Sequence, residues 1–278
     1  MHKDGKWARQ LIDLQRPDGS WGRFHSMATY GDSPVTTEQA LRRLRILGFT
    51  MEDDCVRRAV DYMNDCLCGR NAIPDPREKL HNWDIFTALM LSARIREFTL
   101  DNPNANAVAQ QWATVVSYAL DAGNYDHARY LEAYRETFGL LPSGGRLVDF
   151  TSFYQLSLLK GMLGAREENA LVKYVLEKPD GMYYIYDKPL NQLPEFASLA
   201  ASRYLGAIEV LAEYRHAREQ LSFVSQWLEE NRGAGGWDMG RNAKDGVYFP
   251  LSDDWRTTQR RIADCTERIG VLLMKLRA

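Results

Sequence analysis

The chain has little of what would make it disulfide-stapled, membrane-spanning or nucleic-acid-binding. It carries four cysteines, Cys55, Cys66, Cys68 and Cys265. They lack a paired zinc-type spacing, so free thiols are expected. Cys66-Leu67-Cys68 is read as two thiols at a helix end rather than as a metal site. The five histidines, His2, His25, His81, His127 and His216, are scattered and suggest no cluster. No metal and no cofactor are therefore expected. No run of about 18 apolar residues occurs, and no membrane span is expected. The opening Met1-His2-Lys3-Asp4-Gly5-Lys6 leads into an amphipathic segment without the apolar core of a signal peptide, which suggests a cytoplasmic protein. The 35 basic and 37 acidic residues leave a net charge of −2, without the basic face of a nucleic-acid binder. A glycine-rich phosphate loop, a nucleophile elbow and a His-Glu-x-x-His helix are all missing.

What is present is helical periodicity from end to end, with no convincing strand pattern. Hydrophobic content of 45% and charged content of 26% are ordinary for a globular protein. About eleven helices are expected, over residues 6–15, 37–47, 51–67, 81–98, 105–120, 125–138, 149–163, 167–176, 195–214, 216–231 and 255–276. The first is followed by a loop with Gly19, Gly22, Gly31 and Pro34, after which Thr36 or Thr37 caps the second. The helix at 81–98 is apolar on most of its circumference, the mark of an element buried on several sides. Arg42-Arg43-Leu44-Arg45 reads as a solvated helix face.

One frame organises the chain: a polar residue, three residues, glycine, one residue, an aromatic. It occurs at Gln15, Gly19 and Trp21, at Glu177, Gly181 and Tyr183, and at Asn231, Gly235 and Trp237. The copies begin 162 and 54 residues apart, and 162 is three times 54. A shared grid marks an internal repeat. Each frame follows an amphipathic segment, so the glycine falls where a helix must stop. The aromatic can fold back onto the helix just ended, and the polar side chain can bond free backbone groups of a neighbouring unit. Trp21, Tyr183 and Trp237 are expected in equivalent places.

These residues resemble the glutamine–tryptophan repeat of the terpenoid cyclases and the related protein prenyltransferases. The copy at Gln15 fits fully, the copy at 231 has Asn231 for glutamine, and the looser copy at 177 has Glu177 and Tyr183; Gly69 and Gly123 occupy the vacant grid positions. The resemblance implies an all-α fold, an α/α toroid built as an irregular α6/α6 barrel in one domain over residues 1–278. An outer helix is expected to be absent or reduced near 139–149. It also implies an apolar, isoprenoid-like ligand in a central aromatic-lined cavity. Trp83, Phe86, Tyr130, Tyr134, Phe150, Phe153, Tyr154 and Tyr204 are the candidate ligand-binding aromatics, since aromatic faces bind apolar chains and stabilise cations; core filling is the other reading.

Asp264-Cys265-Thr266 resembles the Asp-Cys-Thr segment of the oxidosqualene cyclases, where the aspartate donates the proton that starts cyclisation. On that resemblance Asp264 is the candidate acid and Cys265 its supporting hydrogen-bond donor, although Glu267-Arg268 replaces the family's Ala-Glu and Ala263 stands where the bacterial form has a carboxylate. Thr266-Glu267 also echoes Thr37-Glu38, which favours a second reading of Asp264 as a helix cap. The zinc site of the prenyltransferases is not expected, because no histidine follows Cys265. Two alternatives stay open: a non-catalytic binding or scaffold module, and a sugar-processing α/α barrel using carboxylates such as Asp84 and Asp149, with His81 nearby in sequence.

Overall fold

The structure is a computed structural model that describes residues 2–25, 33–79, 81–145 and 147–277. Gly31, expected in the loop ahead of the second helix, lies outside the described residues. The protein is all-α. Among the described residues there are eleven α-helices, one 3-10 turn and no strand longer than an isolated bridge. In chain order the helices are α1 (Lys6–Asp13), α2 (Thr37–Ile46), α3 (Asp54–Leu67), α4 (Trp83–Phe98), α5 (Pro103–Leu120), α6 (His127–Phe138), α7 (Phe153–Leu158), α8 (Ala165–Glu177), α9 (Leu199–Leu211), α10 (Ser222–Glu230) and α11 (Thr258–Arg277). Each corresponds to one of the expected segments. No described residue of 139–149 is helical.

The chain forms two compact units. Unit 1 comprises residues 1–112 and 142–148; unit 2 comprises residues 113–141 and 149–278. The division falls within α5.

Caps explain many of the boundaries. Thr36 and Gln39 form a reciprocal capping box at the start of α2. The Asp126 carboxylate accepts from the backbone of Ala128 and Arg129 at the start of α6, and Gly139 ends that helix in the left-handed conformation. Ser198 accepts from Ala201 N, so α9 starts later than its periodicity suggests. Helix α7 is far shorter than the expected 149–163, because Ser152 is bridged to Tyr183 and Gly161 adopts φ +71 just beyond it.

In unit 1, α4 is buried on several faces, as its composition suggests. It also carries a charge that periodicity conceals: Arg94 is fully buried. Its Nε and Nη2 donate to Glu38 Oε1 on α2 at 3.1 and 2.6 Å, and Nη1 donates to Glu97 at 2.7 Å. Glu97 also accepts from Arg45 at 2.9 Å. The cluster at residues 42–45 is thus not a solvated face: Arg43 is buried, with its guanidinium 6.0 Å from the Trp7 ring, and Arg45 is spent on an ion pair. Paired, these charges satisfy one another in a dry setting; unpaired, any of them would be costly.

Candidate functional site

The repeated frame sets the local geometry of both units. In unit 1 the Trp21 indole N–H donates to Leu11 O on α1 at 2.7 Å, and its backbone N–H donates to Thr37 Oγ1, the first residue of α2, at 2.9 Å. Trp21 is fully buried. Gln15 Nε2 reaches Cys55 O at the start of α3 at 2.8 Å and Gly19 O at 3.0 Å, while Gln15 Oε1 accepts from Arg58. Gly19 has φ +91, and a Cβ there would lie 2.3 Å from Arg58 O. One frame therefore ties α1, α2 and α3 together.

In unit 2 the Trp237 indole donates to Leu228 O on α10 at 2.6 Å, and its backbone N–H donates to Thr266 Oγ1 on α11 at 3.1 Å. The same two bonds recur with the same types of partner. Asn231 is one methylene shorter than glutamine and turns back to Trp227 O on its own helix, at 2.9 Å. The glycine that carries the geometric demand is Gly236 rather than Gly235: it has φ +114, and a Cβ would meet Thr266 Oγ1 at 2.2 Å.

The third frame departs from the other two, and the expectation that Tyr183 matches the tryptophans does not hold. Tyr183 is 46% exposed, whereas its neighbour Met182 is fully buried. Its backbone explains the reversal. Tyr183 N donates to Thr151 O and Tyr183 O accepts from Phe153 N, at 3.1 and 3.2 Å. Successive side chains of such an extended segment point to opposite sides, so burying Met182 turns Tyr183 outward. Tyr184 beside it is held at φ +75, a conformation uncommon for a residue with a Cβ.

Asp264 does not cap α11. That helix begins at Thr258, and Thr257, whose hydroxyl accepts from Arg260 N at 3.4 Å, supplies its start. Asp264 lies within the helix and is 2% exposed. Its Oδ2 accepts three bonds: from Ser252 N at 2.9 Å, Ser252 Oγ at 2.7 Å and Trp255 Nε1 at 2.7 Å. These three donors on Oδ2 hold residues 252–255 against α11. Cys265 is fully buried, and burial pushes its thiol up to about 11, which keeps it protonated at neutral pH. Arg268, the departure from the cyclase pattern, is buried and forms a fork onto Glu209 of α9, with Nε–Oε1 at 2.6 Å and Nη2–Oε2 at 3.1 Å.

No family model, curated protein or solved structure matches this chain.

The candidate aromatics are distributed over several clusters. Trp83 and Phe86 belong to unit 1, where their ring centroids lie 6.1 Å apart and His81 stands 5.1 Å from Phe86. Tyr130, Tyr134 and Phe150 belong to unit 2 and are fully buried. Tyr125 and Tyr174, which the sequence reading passed over, join them: their rings lie 4.3 Å apart, and Tyr125 meets Phe150 at 5.4 Å. Burial raises the hydroxyl pKa of Tyr125, Tyr130 and Tyr174 above the ordinary tyrosine value, so all three remain neutral phenols. Tyr154 packs 5.6 Å from Phe153 and 5.1 Å from Tyr184. Tyr204 donates to Leu190 O at 2.9 Å and stands edge-on to Trp227 at 5.7 Å.

The two carboxylates named for sugar chemistry are both engaged. Asp84 is exposed and pairs with Arg77 at 2.8 Å. Asp149 accepts from Thr151 N at 2.8 Å and from its hydroxyl at 2.6 Å, and is ion-paired with Lys178. Among the described residues, no group of three His, Cys, Asp or Glu side chains is placed to hold a metal ion, and no helix is long and apolar enough to cross a membrane.

Proposed function

We propose that this chain is a glutamine–tryptophan-repeat α/α toroid of the terpenoid cyclase and prenyltransferase type that binds an apolar, isoprenoid-like ligand without using Asp264 as an acid. The observation that carries the reading is the recurrence at Trp21 and Trp237 of the same pair of bonds, indole to the preceding helix and backbone N–H to a threonine. It supports the repeat resemblance through physical roles as well as residue identities. The preference for binding over cyclisation is supported by Asp264, whose Oδ2 is bound by Ser252 and Trp255. An initiating acid must present a proton to its substrate in a dry pocket. Here one of its two oxygens, Oδ2, is committed to structural bonds.

The test is to titrate the purified protein with farnesol by calorimetry and, separately, to incubate it with squalene and oxidosqualene and look for cyclised products by mass spectrometry. Saturable farnesol binding with no cyclised product is expected. Absence of saturable binding would overturn the ligand class. A cyclised product that disappears in Asp264→Asn would restore the aspartate as an acid.

A further inference from the structure

Two phenols of unit 2 stand where an oxidant could join them. Tyr125, in the link between α5 and α6, and Tyr174 of α8 are both half-buried. Their ring centroids lie 4.3 Å apart, with the ring planes inclined by 31°. The centres of two rings joined by a direct carbon–carbon bond stand about as far apart as these do already. Coupling therefore needs the rings to slide over one another rather than to approach. Phe150, fully buried, meets Tyr125 at 5.4 Å and Tyr174 at 5.5 Å and has no hydroxyl to oxidise. Tyr183 and Tyr184 are also 4.3 Å apart, but they are consecutive, and coupling them would close a strained ring through one peptide bond.

A neutral phenol loses an electron readily only when its proton can leave as well. Burial keeps both hydroxyls protonated, which closes the route through a phenolate at neutral pH. Tyr125 has another route: its hydroxyl oxygen lies 2.7 Å from His127 Nδ1. In the imidazole tautomer protonated on Nε2, Nδ1 accepts that hydrogen bond and can take the proton as the electron departs. Carboxylates act on both phenols, Asp149 on each, Asp126 on Tyr125 and Asp180 on Tyr174, so they do not choose between them. The Lys178 ammonium, 5.9 Å from the Tyr174 ring, disfavours removing an electron there. Tyr125 is thus the first ring to oxidise. We propose that Tyr125 and Tyr174 are a dityrosine site, which a one-electron oxidant closes into a covalent tie between the α5–α6 link and α8. Each phenol gives one electron to the oxidant and one proton to water, by way of His127 for Tyr125. The two phenoxyl radicals then couple through ring carbons ortho to their oxygens. The hydrogens on those carbons move to the oxygens, which restores both aromatic rings and both hydroxyls.

The test uses the full chain in dilute solution, with the exposed Cys68 thiol alkylated so that it does not quench the radicals. The protein is illuminated briefly with tris(bipyridyl)ruthenium and persulfate, and the monomer is digested and mapped by mass spectrometry. A linked peptide pair holding Tyr125 and Tyr174, lighter by two hydrogen atoms than its parts, is expected together with dityrosine fluorescence. Tyr125→Phe and Tyr174→Phe keep the stacked rings and remove a reacting phenol, so each should abolish the link. His127→Phe should form it at least about tenfold more slowly, because a positioned base contributes at least that to a step that moves a proton. Monomer without the link, a link mapped instead to Tyr183 and Tyr184, or a link that survives in Tyr174→Phe would each overturn the site. An unchanged rate in His127→Phe would overturn the imidazole as the proton acceptor.

Discussion

Units 1 and 2 solve the same joint with one tryptophan each, and they differ in what surrounds it. In unit 1, Trp21 is backed by Gln15, which crosses to α3, and by Thr37, which opens α2. In unit 2, Trp237 has the equivalent threonine, but Asn231 bonds only within its own helix. The indole and the threonine are therefore the invariant parts of the device, and the amide is an accessory whose length decides whether a third helix is recruited. The charges diverge in the same sense. Glu38, beneath Arg94, has no exposed side-chain surface, whereas Glu209, beneath Arg268, keeps 28% of its own. At this ion pair unit 1 is closed to water and unit 2 is partly wet.

Truncating the tryptophans should show the largest effects. Trp21→Ala and Trp237→Ala are each expected to cost about 3–5 kcal/mol in urea unfolding, against about 1 kcal/mol or less for the exposed Tyr183→Ala. A tyrosine variant as damaging as the tryptophan variants would show that the third frame is a staple after all.

Breaking the ion pairs should separate the units. Arg94→Leu strips the dry Glu38 of its two short guanidinium bonds and leaves it Arg42 at 3.9 Å, and about 3–5 kcal/mol of stability should be lost. Arg268→Leu should cost less, because water can reach Glu209. Equal losses in the same unfolding assay would remove the distinction between dry and wet joints.

Unit 2 also supplies an acid-sensitive site. Burial acts to raise the Glu213 carboxyl, but hydrogen bonds and charge from Lys160 and Lys275 outweigh it and bring its pKa from 4.5 down to about 2. A carboxylate with a depressed folded pKa stabilises the protein above its unfolded pKa, and that contribution is lost as pH falls through the window from 4.5 to about 2. Glu213→Gln should flatten the stability profile across that window. An unchanged acid limb would mean that other groups set it.

The glycine shift gives a smaller contrast. Gly236→Ala should destabilise by at least about 1–2 kcal/mol from its left-handed backbone alone, whereas Gly235→Ala, with no atom near its Cβ position, should change little. Smallest is the amide. Gln15→Ala should cost about 0.5–1.5 kcal/mol through the lost bond to Cys55 O, and Asn231→Ala should fall below that. Reversal of that order in thermal melts would assign the bridging role to the wrong frame.

Much of the helix content was legible locally. Periodicity, Thr36 with Gln39, and the small capping residues determine where helices start and stop, because these signals act within a few residues. The same holds for the tryptophans, whose indoles return to the helix just finished. What lay beyond the sequence were the partners brought from far along the chain. Thr266-Glu267 looks like Thr37-Glu38, but the helix starts earlier at Thr258 and turns Asp264 onto Ser252. Tyr183 has the right spacing, but pairing with 151–153 sets which side chain is buried. Arg94 finds Glu38 56 positions away, and Arg268 finds Ser202 66 positions away. A composition pattern records which residues prefer to be buried; which charge meets which, and which face of a turn looks inward, is decided only when distant segments pack, because a dry charge or an extended backbone is settled by its neighbours in space.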